Sequence, residues 1–199
     1  MKKYLLLFLF ISSFSFAQSA DSLVWLHDID STILTEVRYA TPNNFTGQIL
    51  YKSDKVYLRK VVAESLSNAH KSLMRNYALR IKVFDGYRPL SIQKKMWEVM
   101  PDDRYVADPA KGSRHNRGAA VDLTLVDVTG REIDMGTPYD DFTEKSHIDY
   151  KKLSKNALTY RAILRSTMEK FGFEAMSSEW WHFDFKGWSK FPIMDVEIE

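Results

Sequence analysis

Ser113-Arg114-His115-Asn116-Arg117-Gly118-Ala119-Ala120-Val121-Asp122-Leu123-Thr124-Leu125 begins as a loop and ends as a strand. Its first half sets Ser, Asn, Gly and Arg around a histidine, a turn composition. Its second half is apolar except at Asp122 and Thr124, which reads as a strand inside the molecule. An acid within such a run needs a cation, a dense set of donors or a metal, because an unpaired buried carboxylate costs several kcal/mol even after relaxation. His115 is its nearest partner along the chain. Further on, Glu179-Trp180-Trp181-His182 sets a carboxylate and an imidazole together inside an aromatic run.

The surrounding sequence predicts a frame for that strand. Leu23-Val24-Trp25-Leu26 reads as a short strand, and Glu36 to Ala40 as another, ended by the turn formers of Thr41-Pro42-Asn43-Asn44. Ser53 or Asp54 is positioned to cap a helix whose apolar face is Leu58, Val61, Val62, Leu66, Ala69 and Leu73 and which ends near Asn76. Leu79 to Phe84 is a strand candidate closed by Asp85-Gly86. Ser91 is positioned to cap a second helix, stopped by Pro101. A third helix covers about Ser154 to Lys170 with Gly172 as its stop, and Phe173 to Ala175 and Trp181 to Phe185 are close enough to form a hairpin. Helices and strands do not alternate regularly. The expected fold is therefore α+β: a single domain with a small, mostly antiparallel sheet, about three flanking helices, and the site on the sheet.

The chain has 199 residues and 45% hydrophobic content, enough for a sizeable core. Lys2 and Lys3 precede an uncharged run from Tyr4 to Phe16 that ends in Ser15-Phe16-Ala17, a small-x-small pattern. Residues 1–17 thus read as a signal peptide cleaved after Ala17, leaving a domain over 18–199 that is exported, to the periplasm, with no stable membrane anchor. Removing Lys2 and Lys3 takes the formal net charge from +2 to about zero, which leaves no basic footprint for nucleic acid. With no cysteine, a thiol nucleophile, a thiolate metal site and a disulfide scaffold are all excluded.

Hydrolysis of an amide by a metal needs a Lewis acid, an activated water, a base for its proton and a positive group for the oxyanion. Two His and one Asp make a three-ligand set with a position left open, the constellation of a zinc hydrolase. His115, Asp122 and His182 fit the ligand roles, Glu179 the base, and Arg88 the oxyanion partner. Residues three apart on a regular strand face opposite ways, so Glu179 belongs in a loop entering the strand that carries His182 inward, with Asp184 on the same face. Plainer readings exist for each residue type. Arg88 after a turn often pairs with a surface acid, Trp180 and Trp181 suit packing, and His27, His70 and His147 read as surface or satisfied core histidines.

Taken together, these motifs resemble the zinc D-Ala-D-Ala dipeptidases of the VanX type, within the group that also includes hedgehog-like domains. The resemblance runs through Arg38-Tyr39-Ala40-Thr41, Asn44-Phe45-Thr46-Gly47, Asp85-Gly86-Tyr87-Arg88-Pro89 and the Ser113–Leu125 stretch. It continues through Met135-Gly136, Tyr139-Asp140 and Ser146-His147 to Gly172-Phe173-Glu174 and Glu179-Trp180-Trp181-His182. It implies one zinc ion per chain on His115, Asp122 and His182, Glu179 as general base, and Arg88 holding the tetrahedral intermediate. It also implies Tyr39, Ser113 and Asp140 in the pocket of a small D,D-dipeptide, with Asp140 pairing the free amino group. Asp141 is an alternative for that anchor. Arg114 stands where the family often has serine, which adds a positive charge beside His115. A murein D,D-carboxypeptidase or endopeptidase with an open cleft, and a non-catalytic zinc-containing binding domain, are the alternative readings.

Overall fold

The computed structural model describes residues 22–198, so the signal peptide expected over 1–17 lies outside the described residues. The strands, in chain order, are β1 Leu23–Trp25, β2 Leu34–Thr35, β3 Tyr57–Arg59, β4 Arg80–Asp85, β5 Ala120–Val126, β6 Phe173–Ala175 and β7 His182–Phe185. The helices are α1 Leu26–Ile29, α2 Lys60–Tyr77, α3 Leu90–Val99 and α4 Lys155–Lys170. Three of these are the predicted helices; α1 is one further turn. The main sheet has five strands in the order β2-β4-β5-β7-β6, and β1 pairs with β3 in a separate two-stranded sheet. Only β2 and β4 run parallel; every other pairing is antiparallel, as the irregular order of elements implied.

β5 lies at the centre of the sheet and is buried along its whole length, yet its two faces differ. Val121, Leu123 and Leu125 enter the hydrophobic core with Leu66 and Leu73 of α2 and Leu164 and Met168 of α4. Fully burying each such side chain contributes about 1.5–3 kcal/mol, so this face anchors the strand. The period of two then turns Ala120, Asp122 and Thr124 to the opposite face. An apolar run with two polar members is thus a strand whose far side serves a site. α4 begins where expected, with Ser154 Oγ accepting the Ala157 N–H at 3.1 Å. Among the described residues no helix is long and apolar enough to cross a membrane.

Three local expectations are corrected. The helix expected from Ser53 or Asp54 starts only at Lys60. The residues before it form β3, whose backbone is committed elsewhere: Val24 pairs with Leu58, the Tyr87 N–H donates to Tyr57 O at 2.7 Å, and the Arg59 N–H donates to Gly118 O at 2.9 Å. Leu58 therefore belongs to a strand, and its helical spacing to Val61 is coincidental. The strand expected over Glu36 to Ala40 is instead the short β2 followed by a 3-10 turn over Arg38–Ala40. Sheet pairing stops once the Glu36 N–H has bonded Val83 O, and the turn carries Tyr39 off the sheet edge. Ser91 does not cap α3, because Leu90 is already helical and Pro89 occupies the capping position without a side-chain bond.

Candidate active site

The sheet register assembles the site. Asp85 on β4 stands opposite Asp122 on β5, and Asp122 stands opposite His182 on β7, so three neighbouring strands each present one polar residue at one level. His115 comes from the 3-10 turn His115–Arg117 that leads into β5. Gly118 closes that turn at φ +67°, a left-handed conformation that favours glycine. His115, Asp122 and His182 are buried, and one ligand atom from each lies within 4.8 Å of the others. His115 Nε2 is 3.2 Å from His182 Nδ1 and 3.4 Å from Asp122 Oδ1, and His182 Nδ1 is 2.9 Å from Asp122 Oδ1. A tetrahedral ion with bonds of about 2.0–2.1 Å to such ligands sets them about 3.3 Å apart. The donor set therefore fits a small divalent cation.

Both imidazoles are held in the tautomer this requires. His115 Nδ1 is 2.7 Å from Gly86 O, a carbonyl that only accepts, so the hydrogen sits on Nδ1 and Nε2 keeps its lone pair. His182 is turned the other way: Nε2–H donates to Asp184 Oδ1 at 3.0 Å, leaving Nδ1 for the cluster. The alternation argument had put Asp184 on that face. Arg114, the extra charge beside His115, lies 3.5 Å from Asp184 through Nε and 4.7 Å above the Trp188 ring, so it backs this carboxylate.

Glu179 sits in the loop before β7, as the strand argument required, with Oε2 4.0 Å from His182 Nδ1. Arg88 is buried near the same pocket and is gripped from behind. Asp85 Oδ2 accepts from its Nε at 3.0 Å and its Nη2 at 2.6 Å, and Gln93 Oε1 accepts from its Nη1 at 2.8 Å. The plainer reading of Arg88 as a partner of a surface acid is thus replaced by a buried pair. Ser113 lines the pocket, and its Oγ accepts the His115 N–H at 3.2 Å. Tyr39 and Asp140 also line it, joined by a Tyr39 O–H to Asp140 Oδ2 bond of 3.2 Å. Asp140 adopts φ +59°, a conformation that L residues seldom take. Asp141, the alternative to it, accepts the Thr143 N–H at 2.9 Å in the next turn. His70 is a satisfied core histidine whose Nδ1 accepts the Ile81 N–H.

The site concentrates negative charge in a dry space. Burial pushes Asp122 up, but the charge and hydrogen bonds of His115 and His182 overcome it and hold this carboxyl well below the usual range. Burial likewise works against the imidazolium of His182; with no cation on Nδ1, a second proton there would bond Asp122 while Nε2–H bonds Asp184, and these bonds outweigh the cost of burial, so its proton affinity is raised. Glu179 is pushed up to about 8 by burial, against the pull of His182. Asp140 is pushed up to about 7, again by burial first and then by the charge of Asp122.

Several contributors were not found in the sequence. Asp85, 1% exposed, was read only as part of a turn. Its Oδ1 accepts from Tyr51 O–H at 2.8 Å and Gly86 N–H at 2.9 Å in addition to the Arg88 bonds. Tyr139 donates its O–H to Asp122 Oδ2 at 3.0 Å. Phe45, Tyr105 and Phe142, from three separate loops, form an aromatic rim with ring centroids 4.9 and 5.5 Å apart across Phe142. The signal that singles out Asp85 is an acid directly before Gly86 at the end of an apolar strand, the same anomaly that singled out Asp122.

A buried two-histidine, one-carboxylate cluster with an acid beside it and a buried arginine at the same pocket defines a metal-dependent hydrolase. The peptidase M15 family model described as D-Ala-D-Ala dipeptidase matches residues 19–193, and the chain belongs to that family. It is 36% identical over 163 residues to the D-alanyl-D-alanine dipeptidase of Escherichia coli K12, a match covering 80% of this chain and 82% of that protein. To the D-alanyl-D-alanine dipeptidase of Enterococcus faecium it is 33% identical over 180 residues, 80% of this chain and 89% of that protein. Among solved structures it is similar to VanYB in complex with D-alanine-D-alanine, with a TM-score of 0.44 and 18% identity over 70% of this chain and 77% of that one.

Proposed function

We propose that this chain is an exported zinc peptidase that hydrolyses D-Ala-D-Ala to two D-Ala in the turnover of cell-wall peptides. The observation that carries the reading is the convergence of three ligand atoms, from His115, Asp122 and His182, in one pocket with Glu179, Arg88 and Asp140. His115, Asp122 and His182 would hold the zinc. When bound, it supplies a Lewis acid that polarises the scissile carbonyl and acidifies a water.

The protein's own groups then move the protons. Glu179 takes one proton from the attacking water as the new C–O bond forms, and burial makes it a stronger base than an ordinary carboxylate. Arg88, immobilised by Asp85 and Gln93, presents its charge to the oxyanion without needing to reorganise. On collapse the C–N bond breaks and Glu179 passes its proton to the leaving amine. Asp140, linked to Tyr39, is suited to pair with the ammonium of the dipeptide. A carboxylate spent on that ammonium disfavours an acylated amine, which makes the reading a dipeptidase in preference to a carboxypeptidase. Lys2 and Lys3 before the Tyr4–Phe16 run support export.

The test is amine release by the zinc-loaded protein from D-Ala-D-Ala and from an amino-blocked tripeptide ending in D-Ala-D-Ala. The dipeptide alone is cleaved, and Glu179→Ala loses a factor on the order of 10² to 10⁴ in rate while retaining zinc. Cleavage of the blocked tripeptide at a comparable rate would move the reading to a carboxypeptidase. An active Glu179→Ala protein would remove the base assignment.

A further inference from the structure

The segment Met194–Val196 lies just beyond the residues matched by the family, buries little apolar surface, and leaves Val196 57% exposed. It is nonetheless hydrogen-bonded at every residue, through the backbone of Met194 and Val196 and the side chain of Asp195. The Met194 N–H donates to Asn116 O at 2.9 Å, and Met194 O accepts the Leu90 N–H at 3.2 Å. Asp195 Oδ1 accepts the Ser91 N–H at 2.7 Å. The Val196 N–H donates to the Tyr87 hydroxyl at 2.8 Å, and that hydroxyl donates back to Val196 O at 3.0 Å.

The places it grips are not arbitrary. Asn116 follows His115, and Tyr87 precedes Arg88. Leu90 and Ser91 open α3, which begins without a local side-chain cap, so Met194 O and the Asp195 carboxylate accept the first N–H groups of the helix in its place. That helix carries Gln93, which holds Arg88 Nη1. The two loops are also tied to each other, since the Arg88 N–H donates to His115 O at 3.1 Å and Asn116 Nδ2 donates to Arg88 O at 2.8 Å.

We infer that Met194–Val196 is a positioning clasp: it fixes the loop bearing Arg88 and the turn bearing His115 relative to one another, and thereby sets turnover rate and metal affinity. This rests on the assignment of His115 as a metal ligand and Arg88 as the oxyanion partner. Because the segment adds little apolar burial, loosening it moves the site more than it moves global stability.

The test uses the full chain. Met194→Pro removes the N–H that reaches Asn116, Met194→Leu keeps it, and Tyr87→Phe combined with Asp195→Ala releases the rest of the segment while leaving Met194 in place. Zinc affinity is read on metal-free protein by competition with a chromophoric chelator, alongside kcat, KM and Tm. Met194→Pro and the double variant bind zinc about tenfold more weakly, as when a ligand's outer support is lost, with kcat reduced by a similar factor and KM within about twofold. Met194→Leu matches the parent in all of these. Folded variants with parental zinc affinity and kcat would overturn the clasp. Should Met194→Pro fail to fold, the double variant decides alone. A parent protein that binds zinc without cleaving the dipeptide would sink the proposed function and leave the zinc comparison to judge the clasp.

Discussion

Asp85→Asn is the most informative single substitution, because four donors converge on the two oxygens of this side chain. Oδ2 accepts both Arg88 contacts, and Oδ1 accepts Tyr51 O–H and Gly86 N–H. An asparagine offers one carbonyl oxygen and an NH2 that is itself a donor. If its oxygen stays on Arg88, the NH2 faces Tyr51 and Gly86. The tyrosine hydroxyl can rotate to accept, but the Gly86 N–H is left unpartnered at about 1–3 kcal/mol. Arg88 meanwhile loses its buried counter-charge, and breaking such a pair costs about 3–5 kcal/mol. Taking roughly 4–8 kcal/mol in total, and about 2–4 °C per kcal/mol for a chain of this size, Tm falls by roughly 8–30 °C. Turnover falls as well, by a factor on the order of 10², since the oxyanion group is no longer held in place. Calorimetry and dipeptide kinetics measure both effects. Arg88→Met made alone and in the Asp85→Asn background closes a double-mutant cycle whose steps should be strongly non-additive. An Asp85→Asn protein melting within about 2 °C of the parent with unchanged kcat, or an additive cycle, would refute the reasoning.

Two further outcomes follow from the same geometry. Asp184→Asn keeps an oxygen for the His182 N–H but removes the charge behind it, so metal affinity drops about tenfold, and Asp184→Ala, which removes the bond too, drops it toward a hundredfold; unaltered affinity in the alanine variant would remove Asp184 from that role. Asp140 carries a native pKa of about 7 against an ordinary value of 3.8, so the folded, metal-free protein keeps a proton that the unfolded chain gives up. Its contribution is therefore present below pH 3.8 and is lost as pH rises toward 7. Asp140→Asn accordingly raises the Tm of chelator-treated protein at about pH 8 and much less at about pH 4; an equal shift at both pH values would contradict the burial argument.

The sheet was legible in the sequence because strand periodicity is a short-range rule, and the grouping of His115, Asp122 and His182 because an acid in an apolar run and two short carboxylate–imidazole motifs called for each other. The period of two separates Val121, Leu123 and Leu125 from Asp122 along β5, and the Glu179-to-His182 spacing forces a loop into β7. What the sequence hid depends on pairing across distance. Tyr57-Leu58-Arg59 carries a helix-compatible face, and only the commitment of its backbone to Val24, Tyr87 and Gly118 turns it into a strand. Asp85 looked like a turn residue because the donors that explain it, from Tyr51 and Arg88, reach it only through the fold. Tyr139 and the aromatic rim come from loops whose composition carries no period. The different surroundings of Asp140 and Asp141 were equally invisible: Asp140, at positive φ, lines the pocket, and Asp141 bonds the Thr143 N–H.

The electrostatics of the pocket connect these parts. Asp85 is balanced by Arg88, and Asp184 by the His182 N–H with Arg114 behind it. Asp122, Glu179 and Asp140 remain, and each of the latter two is made harder to ionise by burial and by the charge of Asp122. A divalent cation on His115, Asp122 and His182 would offset the charge of Asp122, and an ammonium paired with Asp140 would offset the cost of burial there. Metal and substrate bound as proposed would favour the same ionised pocket, and thermodynamic linkage would then make each raise the affinity of the site for the other. On the proposed function, a preference for a free amine and a need for a metal would be two aspects of one concentration of buried carboxylates, built around the level at which the register of β4, β5 and β7 sets Asp85, Asp122 and His182.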